Sequence, residues 1–190
     1  MIYLSSDLHF NHDRAFIYQP RGFNSIEEMN EQIIQNFNEI ITDEDELYLL
    51  GDIMLGGADS LEAGLILLNR LHGQIHIVRG NHDTDKKWFA YAEACPRVVE
   101  VENAIYLKHN GYHFYLSHYP TYTANLEKES LKQCLINLYG HTHQKDNFFQ
   151  DIPWAYHIGV DSHHCKPVNI DDIIPEIKRK VIECKEFLGE

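Results

Sequence analysis

The sequence contains no apolar run that approaches the ~18 residues needed for a membrane-spanning helix. Its apolar stretches are short, such as residues 64–68. The chain starts with Met1-Ile2-Tyr3 and has no basic segment ahead of an apolar one, so it lacks the pattern of a secretory signal. These two absences argue against a membrane span and against secretion, and they predict a cytoplasmic protein.

Cysteines are also few, and none of them are spaced as C-x-x-C. Zinc ribbons need such close pairs, and disulfide frameworks need a dense cysteine pattern in an oxidising compartment. We therefore predict that the cysteines are thiols packed as small apolar residues in a reducing cytosol. They are Cys95, Cys134, Cys165 and Cys184.

Basic residues are scarce relative to acidic ones. The chain has 16 lysines and arginines against 29 aspartates and glutamates, which gives a formal net charge of −13. Proteins that hold long nucleic acids do so largely through basic side chains on the phosphates. The charge therefore disfavours long DNA or RNA as a partner, although divalent ions bound in a site would reverse the charge locally.

What the sequence does contain is typical of a globular protein. Hydrophobic residues make up 44% and charged residues 24% of its 190 residues. This length predicts a single domain that covers residues 1–190. Histidine is unusually frequent, with 13 residues, and it can serve as a metal ligand or as a general acid or base.

Strands and helices alternate in the first half of the chain, and hairpins follow. Helices are predicted at residues 25–41, where Ser25 and Glu28 form a capping box, and at 60–72, 85–94 and 169–188. Strands are predicted at residues 2–4, 47–50, 74–79, 97–102, 104–108, 112–116, 135–139 and 156–160. Residues 97–116 are predicted to be an antiparallel hairpin region, with Asn110-Gly111 as a turn. The pattern predicts a layered α/β domain with mixed sheets.

Five of the predicted strands run directly into a polar cluster. Ligands of α/β sheets lie outside the carboxyl ends of the strands, so we expect these clusters to meet in one crevice. Two of them, Asp7-x-His9 and His141-x-His143, would place both side chains on one face of an extended segment. The clusters supply Asp7, His9, Asp52, Asn81, His118, His141 and His143.

These side chains offer nitrogen and oxygen donors and no thiolate. Such donors suit Mn²⁺, Fe, Co²⁺, Ni²⁺ or Zn²⁺. Seven ligands are too many for one catalytic ion that keeps an open position, but they suit two divalent ions that share a bridging carboxylate. Three of the clusters are preceded or opened by Gly51, Gly80 and Gly140, which predicts close backbone approach or a positive φ.

The ordered series Asp7-x-His9, Gly51-Asp52, Gly80-Asn81-His82-Asp83, Ser117-His118 and Gly140-His141-x-His143 resembles the calcineurin-like metallophosphoesterase superfamily. The opening around Asp7 is similar to small bacterial and phage-type predicted phosphoesterases. The resemblance implies a four-layer α/β/β/α sandwich with two mixed sheets. It implies that Asp7, His9, Asp52 and His143 bind one metal ion and that Asp52, Asn81, His118 and His141 bind the other. It makes Asp52 the bridging ligand and His82 the catalytic histidine.

The predicted activity is hydrolysis of a phosphomonoester or phosphodiester by a metal-bridging hydroxide. His82 would donate a proton to the leaving alkoxide or stabilise charge on the phosphoryl oxygens. Asp83 would orient the His82 ring or lie in a solvated turn. The expected substrate is a small phosphate ester, including a nucleotide-like one. Two alternatives are a nuclease or nucleic-acid end phosphatase, and a non-catalytic scaffold that binds metal.

Several further residues have two open interpretations. Asn11, His12 and Arg21 either contact the substrate phosphate or lie in a surface loop. Tyr119 and Tyr122 either stack on a base or fill the core. His76 and His113 are predicted to be hydrogen-bonded sheet residues. Near the end of the chain, a histidine cluster can lie beside the crevice or away from it: His157, His163 and His164.

Overall fold

Nine strands form two mixed sheets in the computed structural model, which describes residues 1–55, 58–123, 130–150 and 152–188. The strands are β1 (Ile2–Ser5), β2 (Glu46–Leu50), β3 (Gln74–Val78), β4 (Val98–Glu102), β5 (Ile105–His109), β6 (Tyr112–Leu116), β7 (Leu135–Tyr139), β8 (Ala155–His157) and β9 (Val168–Asn169). The helices are α1 (Ala15–Tyr18), α2 (Ile26–Asn38), α3 (Ala58–Leu68), α4 (Asp85–Ala94) and α5 (Ile170–Leu188). Short 3₁₀ turns cover Gln19–Arg21 and Leu131–Gln133. The predicted α/β class with two mixed sheets is confirmed.

The first sheet has the strand order β4-β3-β2-β1-β9. Strands β1 to β4 are parallel, and β9 is antiparallel to β1. Both faces are buried, and the side chains of β2 alternate between them. Leu47 and Leu49 join the helix-side core, whereas Tyr48 and Leu50 join the core between the sheets.

The second sheet has the order β5-β6-β7-β8, with β5 and β6 antiparallel and the others parallel. Asn110 and Gly111 connect β5 to β6 with φ values of 49° and 80°, as a tight hairpin turn requires. The predicted hairpin is confirmed for this pair. It is wrong for β4, which is a parallel edge strand of the first sheet, because the chain crosses between the sheets near Asn103.

Helices α2, α3 and α4 pack on the outer face of the first sheet. Ser25 caps α2 by accepting a hydrogen bond from the Glu28 amide at 3.2 Å, as predicted. Helix α4 has the predicted bounds. Helix α3 ends at Leu68, short of residue 72, because the amides of Arg70 and Leu71 bond three residues back and tighten the last turn.

Helix α5 starts where Asn169 accepts a hydrogen bond from the Asp171 amide at 2.9 Å. Pro175 lies in its early turns. Its isoleucines, among them Ile173 and Ile177, are fully buried in the same core as Phe114 and Leu138 of the second sheet. Over the described residues, α5 and the other helices all fall short of the length and apolarity that crossing a bilayer requires.

The parallel strands direct their carboxyl ends to one edge of the sandwich. Strands β1, β2 and β3 end there in the first sheet, and β6 and β7 do so in the second. A bridge between Ser6 and Gly159 joins the two sets of exits. The polar clusters that follow these strands therefore lie together.

Candidate metal centre

The backbone at the strand exits is left-handed rather than extended. Asp7, His9, Asp52, His141 and His143 have φ values between 49° and 69°. The extended D-x-H and H-x-H segments predicted from the sequence are therefore wrong, although the side chains still converge. Non-glycine residues in this region cost on the order of 1–3 kcal/mol each, and such strain clusters at functional sites.

Glycines allow the exits to approach each other. Gly51 has a φ of +88°, and a Cβ there would lie 2.6 Å from Nδ1 of His118. A Cβ on Gly140 would lie 1.7 Å from Oγ of Ser6 and 2.5 Å from Oδ2 of Asp7. The predicted close approach is confirmed at both positions. Gly80 is packed as tightly, against Asp52.

Asp52 occupies the middle of the centre and is 2% exposed. Its Oδ1 accepts a hydrogen bond from the His82 amide at 2.9 Å. Its Oδ2 lies 3.7 Å from Nε2 of His9 and 3.6 Å from Nε2 of His118. One carboxylate oxygen thus faces histidines from both sides, which is the position expected of a shared ligand.

The side chains around Asp52 form two groups. We define the braced half as Asp7, His9 and His143, which each offer one donor atom within 4.8 Å of the others. Its His9 and His143 Nε2 atoms are 3.0 Å apart. We define the open half as Asn81, His118 and His141. There Nε2 of His118 is 2.9 Å from Oδ1 of Asn81, and the His118 and His141 ring centroids are 5.0 Å apart.

Hydrogen bonds behind two of the rings set their tautomers. Nδ1 of His118 lies 2.8 Å from the Leu50 carbonyl, and Nδ1 of His143 lies 2.9 Å from Oδ2 of Asp161. In a neutral ring, donation from Nδ1 to these oxygens leaves the Nε2 lone pair facing the centre. This is the arrangement typical of histidines that bind metal.

The charges of the centre also fit divalent cations. Burial raises the pKa of Asp7 and lowers that of His9, so the ring of His9 keeps its lone pair at neutral pH. Within the described residues, no lysine or arginine side chain bonds to the carboxylates of Asp7 and Asp52. Two buried carboxylates without a cation are unfavourable, and bound metal ions would compensate them.

Arg21 lies behind the braced half, and its predicted contact with a phosphate is disfavoured by this placement. Its side chain is 1% exposed. Its Nε and Nη2 donate to the two carboxylate oxygens of Asp161 at 2.9 Å each, and Nη2 also donates to the Asp7 carbonyl at 2.9 Å. The guanidinium is therefore used to hold Asp161 and the Asp7 loop.

Asp161 is a functional candidate that sequence reasoning missed. It is nearly buried and contacts both Arg21 and His143. Although burial opposes ionisation, the hydrogen bonds from His143 and Arg21 hold the pKa of Asp161 below its usual range. Asp161 directly follows the strand predicted at residues 156–160 and lies between Gly159 and the His163-His164 pair, so its position at a strand exit was a sequence signal that could have found it.

Asp83 is buried and anchors backbone, so neither predicted role fits it. Its Oδ2 accepts hydrogen bonds from the amides of Asp52 and Gly80 at 2.8 Å each. Its Oδ1 accepts one from the Tyr91 hydroxyl of α4 at 2.7 Å. Asp83 therefore ties the exits of β2 and β3 to α4, rather than orienting the ring of His82.

His82 and His12 lie at the mouth of the centre. The His82 side chain is 37% exposed, and its Nε2 is 3.9 Å from Oδ2 of Asp52. The ring centroid of His12 is 5.3 Å from that of His9 and 6.2 Å from that of His82. Asn11 is turned toward α2, where its Oδ1 accepts a hydrogen bond from Asn30 at 3.0 Å.

The remaining aromatic and histidine candidates are not among the donors of the braced half or the open half. His76 is a sheet residue, as predicted, with Glu100 2.7 Å from its Nδ1 and Glu46 on its other nitrogen. His157 is buried, and its Nδ1 lies 2.8 Å from the Ser162 hydroxyl. Tyr119 and Tyr122 are both exposed, so core filling is wrong for them.

Comparison with protein families identifies a match over most of the chain. The family described as the calcineurin-like phosphoesterase superfamily domain matches residues 1–159. The matched range covers most of the chain and includes every residue of the braced and open halves.

Individual relatives match nearly the whole chain. An uncharacterized protein of Methanocaldococcus jannaschii is 33% identical over 186 residues, which cover 94% of this chain and 92% of that protein. The gene 66 protein of Mycobacterium phage D29 is 26% identical over 207 residues, with 98% of each chain covered. The crystal structure of a protein of unknown function from Aquifex aeolicus has a TM-score of 0.69 and 25% identity, and covers 92% of this chain and 98% of that one.

Proposed function

The chain belongs to the calcineurin-like phosphoesterase superfamily, and on this premise we propose that it is a two-metal phosphoesterase that hydrolyses a small phosphomonoester or phosphodiester. The observation that carries the proposal is the position of Asp52. One carboxylate oxygen faces His9 at 3.7 Å and His118 at 3.6 Å, between two groups of nitrogen and oxygen donors. A scaffold for one ion would need only one of these groups.

The two halves of the centre would each hold one ion, with Asp52 shared. Asp7, His9 and His143 would bind the first, and Asn81, His118 and His141 the second. When bound, two divalent ions activate a water as the nucleophile and neutralise charge on the phosphoryl oxygens. The donor set suits Mn²⁺, Fe, Co²⁺, Ni²⁺ or Zn²⁺.

His82 is the proposed proton donor to the leaving alcohol. Its ring lies beside Asp52 but is partly exposed, so it can meet a substrate that enters from solvent. Its backbone amide is fixed by Oδ1 of Asp52 at 2.9 Å, which holds the ring near the reacting group. A positioned acid of this kind contributes a factor of ~10² to 10⁴ in rate.

The proposed small size of the substrate follows from the net charge of the protein. The net charge of −13 disfavours long nucleic acid, so the nuclease alternative is limited to short oligonucleotides or single nucleotides. The non-catalytic scaffold is disfavoured because a scaffold without activity would be expected to lose ligands, and every predicted ligand is present. A cytoplasmic location remains a prediction from the sequence.

The test is hydrolysis of p-nitrophenyl phosphate and bis-p-nitrophenyl phosphate by protein loaded with Mn²⁺, Ni²⁺ or Zn²⁺. We expect turnover of at least one ester. His82→Ala should lower turnover by ~10²-fold or more while metal content stays unchanged. His109→Ala, on β5 and paired with Asp171, is the matched control and should keep full activity. Inactive protein with both ions bound, or a fully active His82→Ala variant, would contradict the proposal.

A further inference from the structure

A cleft of about 800 Å³ opens directly onto the open half of the metal centre. Asn81 and His118 form its inner end. The rest of its wall includes Asn103 and Tyr115 from the second sheet's side and Tyr119 from the loop after β6. A group bonded to a phosphate at the centre would therefore extend into this cleft.

An aromatic wall flanks the inner end of the cleft. The Tyr119 ring packs edge-on against His118 and His141, with centroid distances of 5.0 Å and 4.7 Å. Nevertheless Tyr119 is 49% exposed, so much of the ring remains available to a ligand. Exposed tyrosine rings at a binding site favour stacking with flat ligand rings.

The cleft also offers polar groups that form no hydrogen bond with the residues that the structure describes. Ser117 is occupied, since its hydroxyl lies 2.8 Å from both the Tyr119 carbonyl and the Asn137 amide nitrogen. In contrast, the side-chain amide of Asn103 and the hydroxyl of Tyr115 make no hydrogen bond with any described residue. These groups can bond to the polar edge of a ligand ring or to a sugar hydroxyl.

The charge of the wall argues against an anionic ligand. Arg79 is the one basic residue among the described lining residues, and its guanidinium is already engaged. It donates to the Asp83 carbonyl at 2.7 Å and to Asp85 at 2.5 Å, and it lies 5.1 Å from the Trp88 ring centroid. Among the described lining residues, a second phosphate or carboxylate would therefore find no cation without an acidic partner.

We propose that this cleft binds the alcohol part of the substrate, and that this alcohol has no anionic group and carries a flat ring with hydrogen-bonding edges, as a nucleoside does. The proposal rests on the proposed phosphoesterase function. It narrows the substrate from any small phosphate ester to esters of nucleoside-like alcohols, with Tyr119 as the residue that determines specificity.

The experiment measures binding and activity separately on the metal-loaded protein. Equilibrium dialysis compares adenosine with ribose, which has the same sugar but no base. We expect adenosine to bind and to compete with bis-p-nitrophenyl phosphate, and ribose to do neither. Tyr119→Leu should weaken adenosine binding on the order of tenfold because the stacking surface is lost, whereas Tyr119→Phe should retain it.

The matched control is Tyr106→Leu, which removes an exposed tyrosine of β5 outside the cleft and should bind adenosine as the unmodified protein does. Equal binding of adenosine and ribose, or unchanged adenosine affinity in Tyr119→Leu, would overturn the proposal. If adenosine binds through Tyr119 but no ester is hydrolysed, the proposed function fails while the cleft assignment stands. If esters are hydrolysed and adenosine does not bind, only the cleft assignment fails.

Discussion

The two halves of the metal centre differ in what lies behind them. Asp7 and His9 of the braced half are buried, and Arg21 and Asp161 support it with a buried, hydrogen-bonded ion pair. In the open half only His118 is buried, while Asn81 and His141 are exposed beside the cleft. If two ions bind as proposed, the ion of the braced half would be held by supported, largely buried side chains, and the ion of the open half would be accessible to substrate.

The largest effect on metal binding and activity is expected from a change to Asp52, which lies between the two halves. Asp52→Asn should abolish binding of both ions, because the substitution removes the charge of the carboxylate that faces His9 and His118. Loss of metal catalysis removes several kcal/mol of transition-state stabilisation, or about a thousandfold in turnover. Metal analysis together with ester hydrolysis measures both effects.

The control for this variant is Asp13→Asn, which changes an exposed aspartate near the mouth of the centre. It should keep its metal and its activity. If Asp52→Asn still binds one ion tightly in the braced half, the carboxylate is not shared and the two halves are independent sites.

A second variant tests whether the Arg21–Asp161 ion pair behind the braced half stabilises the fold. Arg21→Met leaves the nearly buried Asp161 carboxylate without its cation, and breaking such a pair costs about 3–5 kcal/mol in the free energy of unfolding. Arg70→Met breaks a similar two-bond contact with Glu31 on the exposed surface, which is worth about 0–1 kcal/mol. Urea unfolding of the metal-free proteins compares the two. Equal losses in the free energy of unfolding would show that the Arg21–Asp161 ion pair stabilises the protein no more than a surface ion pair does.

The smallest effect concerns metal affinity in one half alone. Asp161→Asn keeps the shape of the side chain but weakens its hold on Nδ1 of His143, and such changes typically lower metal affinity by about 10–100-fold. Calorimetric titration should show one of two binding steps weakened. Asn81→Ala should weaken the other step. Matching changes in both steps for either variant would remove the distinction between the halves.

The sequence was most informative where chemistry and spacing coincide. Asp7, Asp52 and His118 could be predicted to converge because parallel strands end at one edge of a sheet. The left-handed backbone of Asp7 and Asp52 could not be predicted, since neither residue is a glycine and period-two reasoning assumes an extended chain. The prediction of convergence was right even though the local geometry assumed for it was wrong.

The supporting residues show the limit of such reasoning. Arg21 had two open interpretations, a contact with the substrate phosphate or a place in a surface loop. The chemistry that suits phosphate also suits Asp161, which lies 140 positions away in sequence. Only the fold brings the two together. In the same way, the bridging loop at Asn103 assigns β4 and β5 to different sheets, a choice that local turn signals do not specify.

Asp83 is not a proposed ligand, but it links two of the loops that carry proposed ligands. By accepting the amides of both Asp52 and Gly80, it couples the loop that carries the shared carboxylate to the loop that carries Asn81. Its other oxygen accepts the hydroxyl of Tyr91, so the spacing of the two loops depends on where α4 docks. The positions of Asp52 and Asn81 relative to each other therefore depend on α4, and we expect substitutions in that helix to change the proposed metal centre without replacing any of its ligands.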